Sequence, residues 1–354
     1  MGTLSCVVTV VLFGACGDGR SSQAEPDAGA DAEVDASAPT GPRMFAPLLS
    51  FTDALHAMTY ANGFVYAVHS SADAVEVFDA TTRAHVTTIA VGHVPGDLAT
   101  DGTRVYVANM TARDAGDPYL SVISTTTQTV VDSATVRELH WGTDPNNYPW
   151  TNFPTNVTIV GQRAYVVFPT NAVPGLVPVD AGSLVEATYQ PAGSGPASLA
   201  GVGDRLVVTN LKAIGNFTDD EVRIERDDGT LLQTIPTGGK LHDARTVGDR
   251  VWIAHAPTGG VPGELLVIDP ATATMASVAT AAGVYGVATA GGLVYVTCTD
   301  ANRVQVFDAT THALVEDLDL TTLAPTIVNA RGITVNARGD IFLESDGMLS
   351  ALYR

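Results

Sequence analysis

Short apolar runs alternate with turn residues along the chain from residue 43 onward. A typical unit contains the strongly β-prone run of residues 64–69 (FVYAVH), set between alternating apolar and polar positions that end at Gly, Asp or Asn. Alternation over four to eight residues is typical of a half-buried β-strand, and a short continuous apolar run is typical of a fully buried one. The pattern therefore predicts an all-β fold built from many short strands.

The apolar runs repeat at a nearly constant spacing. One large residue marks the centre of the most apolar run in each unit, and we call these seven positions the anchors: Tyr66, Tyr106, Tyr165, Val207, Trp252, Tyr295 and Phe342. The steps between them are 40, 59, 42, 45, 43 and 47 residues. Four strand-like runs per unit and a period in the low forties are typical of a β-propeller blade, because a four-stranded sheet buries both faces only between neighbouring blades. We predict a seven-bladed β-propeller, with six blades as the alternative.

The two ends of the repeat region predict how the ring of blades closes. Residues 331–354 supply three strands of the last blade, and residues 44–51 supply its missing outer strand. A blade built from both ends of the chain protects strand edges that would otherwise pair with other molecules. We therefore expect the ring to be closed.

A second recurring run predicts how the third strand of a blade ends. Residues 75–82 (VEVFDATT) and 304–311 (VQVFDATT) are almost identical, although they belong to the first and sixth blades. The acids in these runs, Asp79 and Asp308, each begin a turn. The carboxylate can accept hydrogen bonds from the backbone N–H groups of that turn. We interpret these acids as structural, and we predict no metal site from them.

Several anchor runs resemble the signature of a known repeat family. The runs at Tyr106 (YVAN), Val207 (VVTN) and Tyr295 (YVTC) are similar to the Tyr-Val-Thr-Asn signature of YVTN-type β-propeller repeats. The resemblance covers residues 43–354 and implies the propeller fold. It implies no single function, because the family includes surface-layer, binding and lactonase-like members. Three positions after the anchor, His69 and His255 stand where the signature has Asn, and we expect them to cap turns.

The N-terminal part of the chain predicts export. Residues 4–16 are apolar and too few to span a bilayer as a helix, and residues 11–16 (VLFGAC) resemble a bacterial lipobox, in which Cys16 would be lipidated. Residues 16–42 are rich in Ala, Asp, Ser and Pro and cannot bury a core. We therefore expect a signal peptide over 1–15, a disordered acidic linker over 16–42 and the propeller over 43–354. The protein would lie in the cell envelope, lipid-anchored or secreted.

The charge of the chain restricts its partners. The formal net charge is -20, with a sequence pI of about 4.5. Binding to nucleic acid or to anionic lipid head groups needs a basic surface, so we expect no nucleic-acid partner and membrane contact through the lipid anchor only. We expect a monomer. Cys298, which has no partner once Cys6 and Cys16 are assigned to the signal region, is interpreted as a packing residue.

Positions about ten residues before each anchor, where the innermost strand of each blade begins, differ in chemistry from blade to blade. They hold His56, Asp97, Asn156, Ser198, His242 with Asp243, Tyr285 and, one position earlier, Arg331. Structural repeats favour the same residue at equivalent places, so a ring of dissimilar polar groups around one axis indicates a ligand site. The alternative is that a solvent-filled channel mouth tolerates any polar residue.

The ring contains the residue types that catalysis would need. His56 and His242 are candidate general bases or metal ligands, Arg331 a candidate partner for an anion, and Asp97 or Asp243 a candidate orienting carboxylate. The sequence contains no HExxH, GxSxG, Gly-rich phosphate loop or paired-cysteine motif. This favours a binding module for a small molecule, a peptide or an envelope component over the alternative, a lactonase-like hydrolase or lyase.

The 59-residue step between the second and third anchors contains an insertion at residues 137–155. It carries Trp141, Tyr148 and Trp150, and aromatic residues on a long loop are typical of a binding surface. The alternative is a plug that packs over its own blades. Two shorter loops contain acids that could hold Ca²⁺ with backbone carbonyls. These acids are Asp114, Asp117, Asp219, Asp220 and Glu221.

Overall fold

A computed structural model describes residues 41–50, 57–110, 117–135, 154–169, 174–211, 220–257 and 262–354. These residues form seven four-stranded antiparallel sheets, which are the blades of a β-propeller. In this part of the chain no helix is long and apolar enough to cross a membrane.

The strands follow one another along the chain from the innermost to the outermost strand of each blade. The first strand of the chain is β1 (Met44–Ser50). Blade 1 contains β2 (Met58–Ala61), β3 (Phe64–His69), β4 (Ala74–Asp79) and β5 (His85–Ala90). Blade 2 contains β6 (Pro95–Thr100), β7 (Arg104–Asn109), β8 (Pro118–Ser124) and β9 (Thr129–Thr135). Blade 3 contains β10 (Asn156–Val160), β11 (Arg163–Phe168), β12 (Gly175–Asp180) and β13 (Gln190–Pro191).

The second half of the ring has the same arrangement. Blade 4 contains β14 (Pro196–Val202), β15 (Arg205–Asn210), β16 (Glu221–Arg226) and β17 (Leu231–Pro236). Blade 5 contains β18 (Lys240–Val247), β19 (Arg250–Ala256), β20 (Glu264–Asp269) and β21 (Thr274–Ala279). Blade 6 contains β22 (Val284–Ala290), β23 (Leu293–Cys298), β24 (Arg303–Asp308) and β25 (Leu314–Asp319), and a short helix α1 (Leu320–Leu323) follows it. Blade 7 contains β26 (Gly332–Val335), β27 (Ile341–Ser345) and β28 (Met348–Tyr353).

Strand β1 completes the seventh blade, as the sequence predicted. It pairs antiparallel with β28, from Met44 opposite Tyr353 to Ser50 opposite Met348. The innermost strands contact one another in ring order, and β26 contacts β2 to close the ring. The prediction of seven blades closed by strands from both chain ends is therefore confirmed.

The cores lie between neighbouring blades rather than inside one sheet. The anchors Tyr66 and Trp252 have no exposed surface. In the cluster between blades 1 and 2, Val75 and Val77 pack with Leu98. Each of the two faces of a blade is buried in this way, which explains why the central strands are almost continuously apolar in the sequence.

The Asp-led turns are structural. The carboxylates of Asp79 and Asp308 accept the backbone N–H of Thr82 at 2.6 Å and of Thr311 at 2.7 Å, respectively. These hydrogen bonds are the main reason why the pKa of each carboxyl lies below its usual value. The carboxylates are thus engaged by their own turns, as the sequence analysis predicted.

Four innermost strands begin with a β-bulge or register shift. The irregularities lie between Pro95 and Asp97 in β6, Pro196 and Ser198 in β14, Leu241 and Ala244 in β18, and Val284 and Val287 in β22. An extra residue in one strand re-aims the side chains beside it. We call the end of the central channel at which these innermost strands begin the mouth. The bulges therefore set the directions of the polar side chains at the mouth.

Candidate functional site

The described residues of the predicted ring all lie at the mouth end of innermost strands. Asp97 lies in β6, Asn156 begins β10, Ser198 lies in β14, His242 and Asp243 lie in β18, Tyr285 lies in β22, and Arg331 directly precedes β26. Five other predicted residues lie outside the described residues: Cys16, His56, Trp141, Tyr148 and Trp150.

Three of these side chains, from three consecutive blades, form what we call the mouth cluster. The rings of His242 and Tyr285 stack with centroids 4.4 Å apart and planes inclined by 31°. The guanidinium carbon of Arg331 lies 5.8 Å from the centroid of the Tyr285 ring. Tyr285 is 38% exposed, although most large apolar residues of the propeller are buried. The cluster therefore offers an exposed aromatic ring beside a cation.

His242 supplies an uncharged ring beneath Tyr285. Burial lowers the pKa of this imidazole to about 4, and the positive charges of Lys240, His255 and Arg331 act in the same direction. The imidazole is therefore neutral at pH 7. It can stack on Tyr285 without adding to the charge of Arg331.

The backbone around Arg331 is held firmly. Its N–H donates to the carbonyl of Glu344 at 2.9 Å, and its carbonyl accepts the Thr297 hydroxyl at 3.3 Å. Gly286 packs so closely that a Cβ there would collide with the Arg331 carbonyl oxygen. The bulge in β22 thus requires glycine beside Tyr285, and this brings blades 6 and 7 together at the mouth.

A second group, which we call the channel cluster, joins carboxylates from non-adjacent blades. It consists of Asp97 of blade 2 with Asp243 and Arg245 of blade 5. Arg245 Nη1 lies 2.8 Å from Asp243 Oδ1, and its charge also acts on Asp97. Because β18 rises about 3.3 Å per residue, Arg245 lies roughly 7 Å further from the mouth than Asp243.

Each carboxylate of the channel cluster also holds the next blade. Asp97 Oδ2 accepts the backbone N–H of Val157 in blade 3 at 3.0 Å, and Asp243 Oδ2 accepts that of Val287 in blade 6 at 3.0 Å. The two acids therefore make the same contact between neighbouring blades at two places in the ring. Asn156 directly precedes the residue that Asp97 binds.

Burial dominates the titration of these acids. It raises the pKa of Asp97 to about 7, while the Arg245 charge and the Val157 N–H oppose the shift and the Asp243 charge adds to it. Burial also raises the pKa of Asp243 above its ordinary value, against the charge of Arg245. Glu344, which is buried beside Arg331, has its pKa raised to about 7, again mainly by burial. Two buried acids of the site, Asp97 and Glu344, thus have pKa values close to neutral pH.

Ser198 belongs to neither cluster. It is 3% exposed, and its backbone N–H donates to the hydroxyl of Thr209 at 2.9 Å. Its own hydroxyl has no hydrogen-bond partner among the described residues. Ser198 therefore lies at the predicted height of the channel but faces protein.

Arg245 was missed by the sequence analysis, although the repeat carries a signal for it. The register pairs Arg245 with the anchor Trp252. At the positions opposite the other anchors the innermost strands carry only small residues: Thr59, Ala99, Thr158, Ala200, Ala288 and Thr334. One long cation among six small residues is the feature that would have identified it.

Two histidines, expected from the sequence to cap turns, also pair with carboxylates, and His255 Nε2 binds the carbonyl of Gly238 in the turn before β18. His69 Nδ1 lies 2.9 Å from Glu76, and His255 Nδ1 lies 2.8 Å from Glu264. Each pair joins the second strand of a blade to the third. Within the described ranges no three His, Cys, Asp or Glu side chains are placed to hold a metal ion, and Asp114 and Asp219 lie outside those ranges.

Cys298 is fully buried, and burial raises the pKa of its thiol to about 12. A nucleophilic or metal-ligating cysteine needs the thiolate, which this environment disfavours at neutral pH. The thiol lies 3.8 Å from the side-chain oxygen of Gln305. Its environment fits the packing role expected from the sequence.

A cleft of about 200 Å³ lies at the seam between blades 6 and 7, on the face opposite the mouth. Its arginines already have protein partners. Arg43 and Arg354 both bind Glu316, and Arg338 binds Asp340 at 3.0 Å. We call Arg43, Glu316 and Arg354 the seam clamp, because they join both chain ends to blade 6. The cleft is therefore a structural contact, not a candidate ligand site.

No family model matches the chain, and no curated protein matches it. Among solved structures, the chain is similar to Kuenenia stuttgartiensis hydrazine synthase, with a TM-score of 0.66, 15% identity, and coverage of 86% of this chain and 97% of that one. It is similar to streptogramin B lyase, with a TM-score of 0.61, 16% identity, and coverage of 88% and 97%. It is also similar to the WD40 β-propeller domain of Doa1, with a TM-score of 0.64, 10% identity, and coverage of 89% and 98%.

These similarities define the class of the protein, which is a seven-bladed β-propeller. At such low identities they show the fold alone, and the fold is shared by enzymes and scaffold domains. The function must therefore be argued from the site.

Proposed function

We propose that this protein is a binding module that holds a small organic molecule at the mouth of its channel. The observation that carries the proposal is the mouth cluster, in which an exposed Tyr285 ring stacks on the neutral imidazole of His242 and lies beside Arg331. Exposed aromatic rings with nearby polar groups are the usual contact residues of small-molecule sites. The bulges and the Gly286 contact pre-organise this group, which lowers the entropic cost of binding.

Replacing Tyr285 with alanine tests this proposal. A fragment set containing anionic, neutral and cationic aromatic compounds would be screened by ligand-observed NMR. We expect hits on the native protein to weaken about tenfold or more in Tyr285→Ala, because the stacking surface is removed. Tyr285 is partly exposed, so the variant should fold.

Tyr353→Ala is the matched control for this experiment. Tyr353 is also a tyrosine beside an arginine, since the guanidinium carbon of Arg83 lies 3.8 Å from its ring centroid, but it lies at the contact between blades 7 and 1. Its loss should leave the hits unchanged. If no hit depends on Tyr285, or if both variants weaken the hits equally, the proposed site is wrong.

A second candidate function, a hydrolase or lyase, is favoured by one observation. The imidazole of His242 is neutral at pH 7 and lies near the charge of Arg331, so it can accept a proton while Arg331 stabilises developing negative charge. Esters and lactones in the same screen would reveal this activity. Turnover that is lost in His242→Gln while Tyr285-dependent binding persists would favour the enzyme over the binding module.

We propose further that the propeller is exported and anchored by a lipid on Cys16. The lipobox-like residues 11–16 and the acidic linker of residues 16–42 support this. In cells fed a fatty-acid analogue, the native protein should be labelled and Cys16→Ser should not be. Equal labelling of the two proteins would refute the anchor.

A further inference from the structure

Arg331 differs from the other arginines in the described part of the chain. Its guanidinium makes no hydrogen bond and no ion pair there, and it lies beside the ring of Tyr285. The other twelve donate to a carboxylate or a carbonyl: Arg43, Arg83, Arg104, Arg163, Arg205, Arg223, Arg226, Arg245, Arg250, Arg303, Arg338 and Arg354.

An unpaired cation is unexpected in this protein. The chain has 38 acidic and 18 basic residues, so carboxylates are abundant and nearly every described arginine has found an acceptor. At the mouth the backbone of Arg331 is fixed by Glu344 and Thr297, whereas its guanidinium is exposed. A fixed backbone with an uncommitted head group is the arrangement expected for a ligand contact.

Among the described acids, Glu344 is the one on which the charge of Arg331 acts, and it does not neutralise Arg331. Glu344 is buried, its carboxyl accepts the backbone N–H of Gly332 at 3.4 Å, and it makes no ion pair with Arg331 among the described contacts. Its pKa is raised to about 7 mainly by burial, so a large fraction carries a proton at neutral pH. His242, which belongs to the mouth cluster, is neutral at this pH. No group in the described part of the chain neutralises the positive charge, and this leaves it available to a ligand there.

The surroundings of Arg331 limit how much negative charge a ligand can carry. One guanidinium binds one carboxylate through two parallel hydrogen bonds. Also at the mouth end of the channel, the channel cluster sets two acids, Asp97 and Asp243, against the single cation of Arg245, and Asp97, whose pKa is raised to about 7, is ionised in part at neutral pH. A phosphate dianion would need further cations. The other cation at this end of β18, Lys240, already has an interaction of its own, and the channel cluster offers acids.

We infer that the mouth takes a planar organic monocarboxylate, whose carboxylate binds the guanidinium of Arg331 and whose ring lies on Tyr285. This inference rests on the proposed function and specifies the chemical class of its ligand. The arginine supplies selectivity for the anion, and the tyrosine supplies contact area that does not depend on charge.

The test compares two probes of nearly the same shape, the anion 4-hydroxybenzoate and its neutral amide, 4-hydroxybenzamide. We expect the native protein to bind the carboxylate about tenfold more tightly than the amide at low ionic strength. Arg331→Gln should abolish this preference, because it weakens binding of the carboxylate about tenfold more than binding of the amide. Arg331→Lys should retain part of it, because lysine keeps the charge but not the paired donors.

Arg338→Gln is the control variant. Arg338 is also a partly exposed arginine, but it lies at the seam cleft, and its loss should leave both affinities unchanged. Equal binding of the two probes, or a preference that survives in Arg331→Gln, overturns the monocarboxylate inference. If neither probe binds while neutral fragments still depend on Tyr285, the inference is also wrong but the proposed function stands. If no probe and no fragment depends on Tyr285 for binding, both the monocarboxylate inference and the proposed function are wrong.

Discussion

Replacing Glu316 with alanine is expected to lower the free energy of unfolding by about 3 kcal/mol, since it leaves a buried arginine without its counter-ion. Arg43, whose side chain is 3% exposed, directs two nitrogens at Glu316, with Nη2 2.9 Å from Oε2. Arg354 Nη2 lies 2.6 Å from the other carboxylate oxygen. Burial raises the pKa of Glu316, but the hydrogen bonds and charges of Arg43 and Arg354 outweigh burial and lower it.

The position of the seam clamp explains why one carboxylate has so large an effect. Arg43 directly precedes β1, Arg354 directly follows β28, and Glu316 lies in β25 of the neighbouring blade. The clamp therefore fastens both strands that the two chain ends contribute to blade 7. Once it is lost, β1 should separate from β28 first, and the amides of β1 should exchange with solvent faster than those of the central strands.

Asp317→Ala is a matched control one residue away in the same strand. Asp317 pairs with Arg303 at 2.7 Å, but both side chains are about one-third exposed. A surface pair of this kind contributes about 1 kcal/mol or less. Unfolding by urea would be measured for both variants. Equal destabilisation by the two substitutions would refute the clamp as the element that closes the ring.

The fold could be predicted from the sequence because the same sequence pattern recurs in every blade. Each anchor run and each Asp-led turn is a near-copy of the others. The strands of a unit with a weak pattern can therefore be assigned by comparison with the clearer units. The outer strand of blade 7 is an example, since residues 44–51 were assigned by counting strands and the structure places β1 at Met44–Ser50. The 18 residues from 136 to 153 have no counterpart in the repeat and lie outside the described residues.

The site could be predicted only in part, because its contacts depend on distances across the ring. The repeat register indicated that Asp97, His242 and Tyr285 begin innermost strands, and the structure confirms those positions. It did not indicate the bulges that stack Tyr285 on His242, nor that Arg245 acts on Asp97 from blade 5. The number of blades and their packing set the width of a channel, and no local sequence pattern encodes it.

Replacing Asp97 with asparagine is expected to stabilise the protein at pH 8 and to have much less effect at pH 5. Burial raises the pKa of Asp97 to about 7 in the folded state, whereas an unfolded aspartate titrates near 3.9. The folded protein therefore holds a proton that the unfolded chain releases. The contribution of this group to the free energy of unfolding is fully present below about pH 4 and is lost as the pH rises to about 7. Above that pH no further stability is lost.

The size of the effect follows from the difference between the two pKa values. About three units correspond to at most about 4 kcal/mol between pH 4 and pH 8. Asparagine resembles the protonated acid and can still accept the N–H of Val157 through its side-chain oxygen. It should therefore retain the contact between blades 2 and 3 while removing the ionisation.

Urea unfolding of the native protein and of Asp97→Asn at pH 5 and pH 8 gives the required comparison. Titrating groups that do not interact with Asp97, including Glu344, are common to both proteins and cancel in the difference. Asp243, whose charge acts on Asp97, contributes to the difference together with it. Asp249→Asn serves as the control, because the Asp249 side chain is 79% exposed and its loss should change stability by about 0.5 kcal/mol or less at either pH. A gain at pH 8 in Asp97→Asn alone would show that the channel cluster confines an acid whose ionisation opposes folding. If both variants change the free energy of unfolding at pH 8 by the same small amount, ionisation of Asp97 does not destabilise the folded protein. The channel around Asp97 would then be open to solvent.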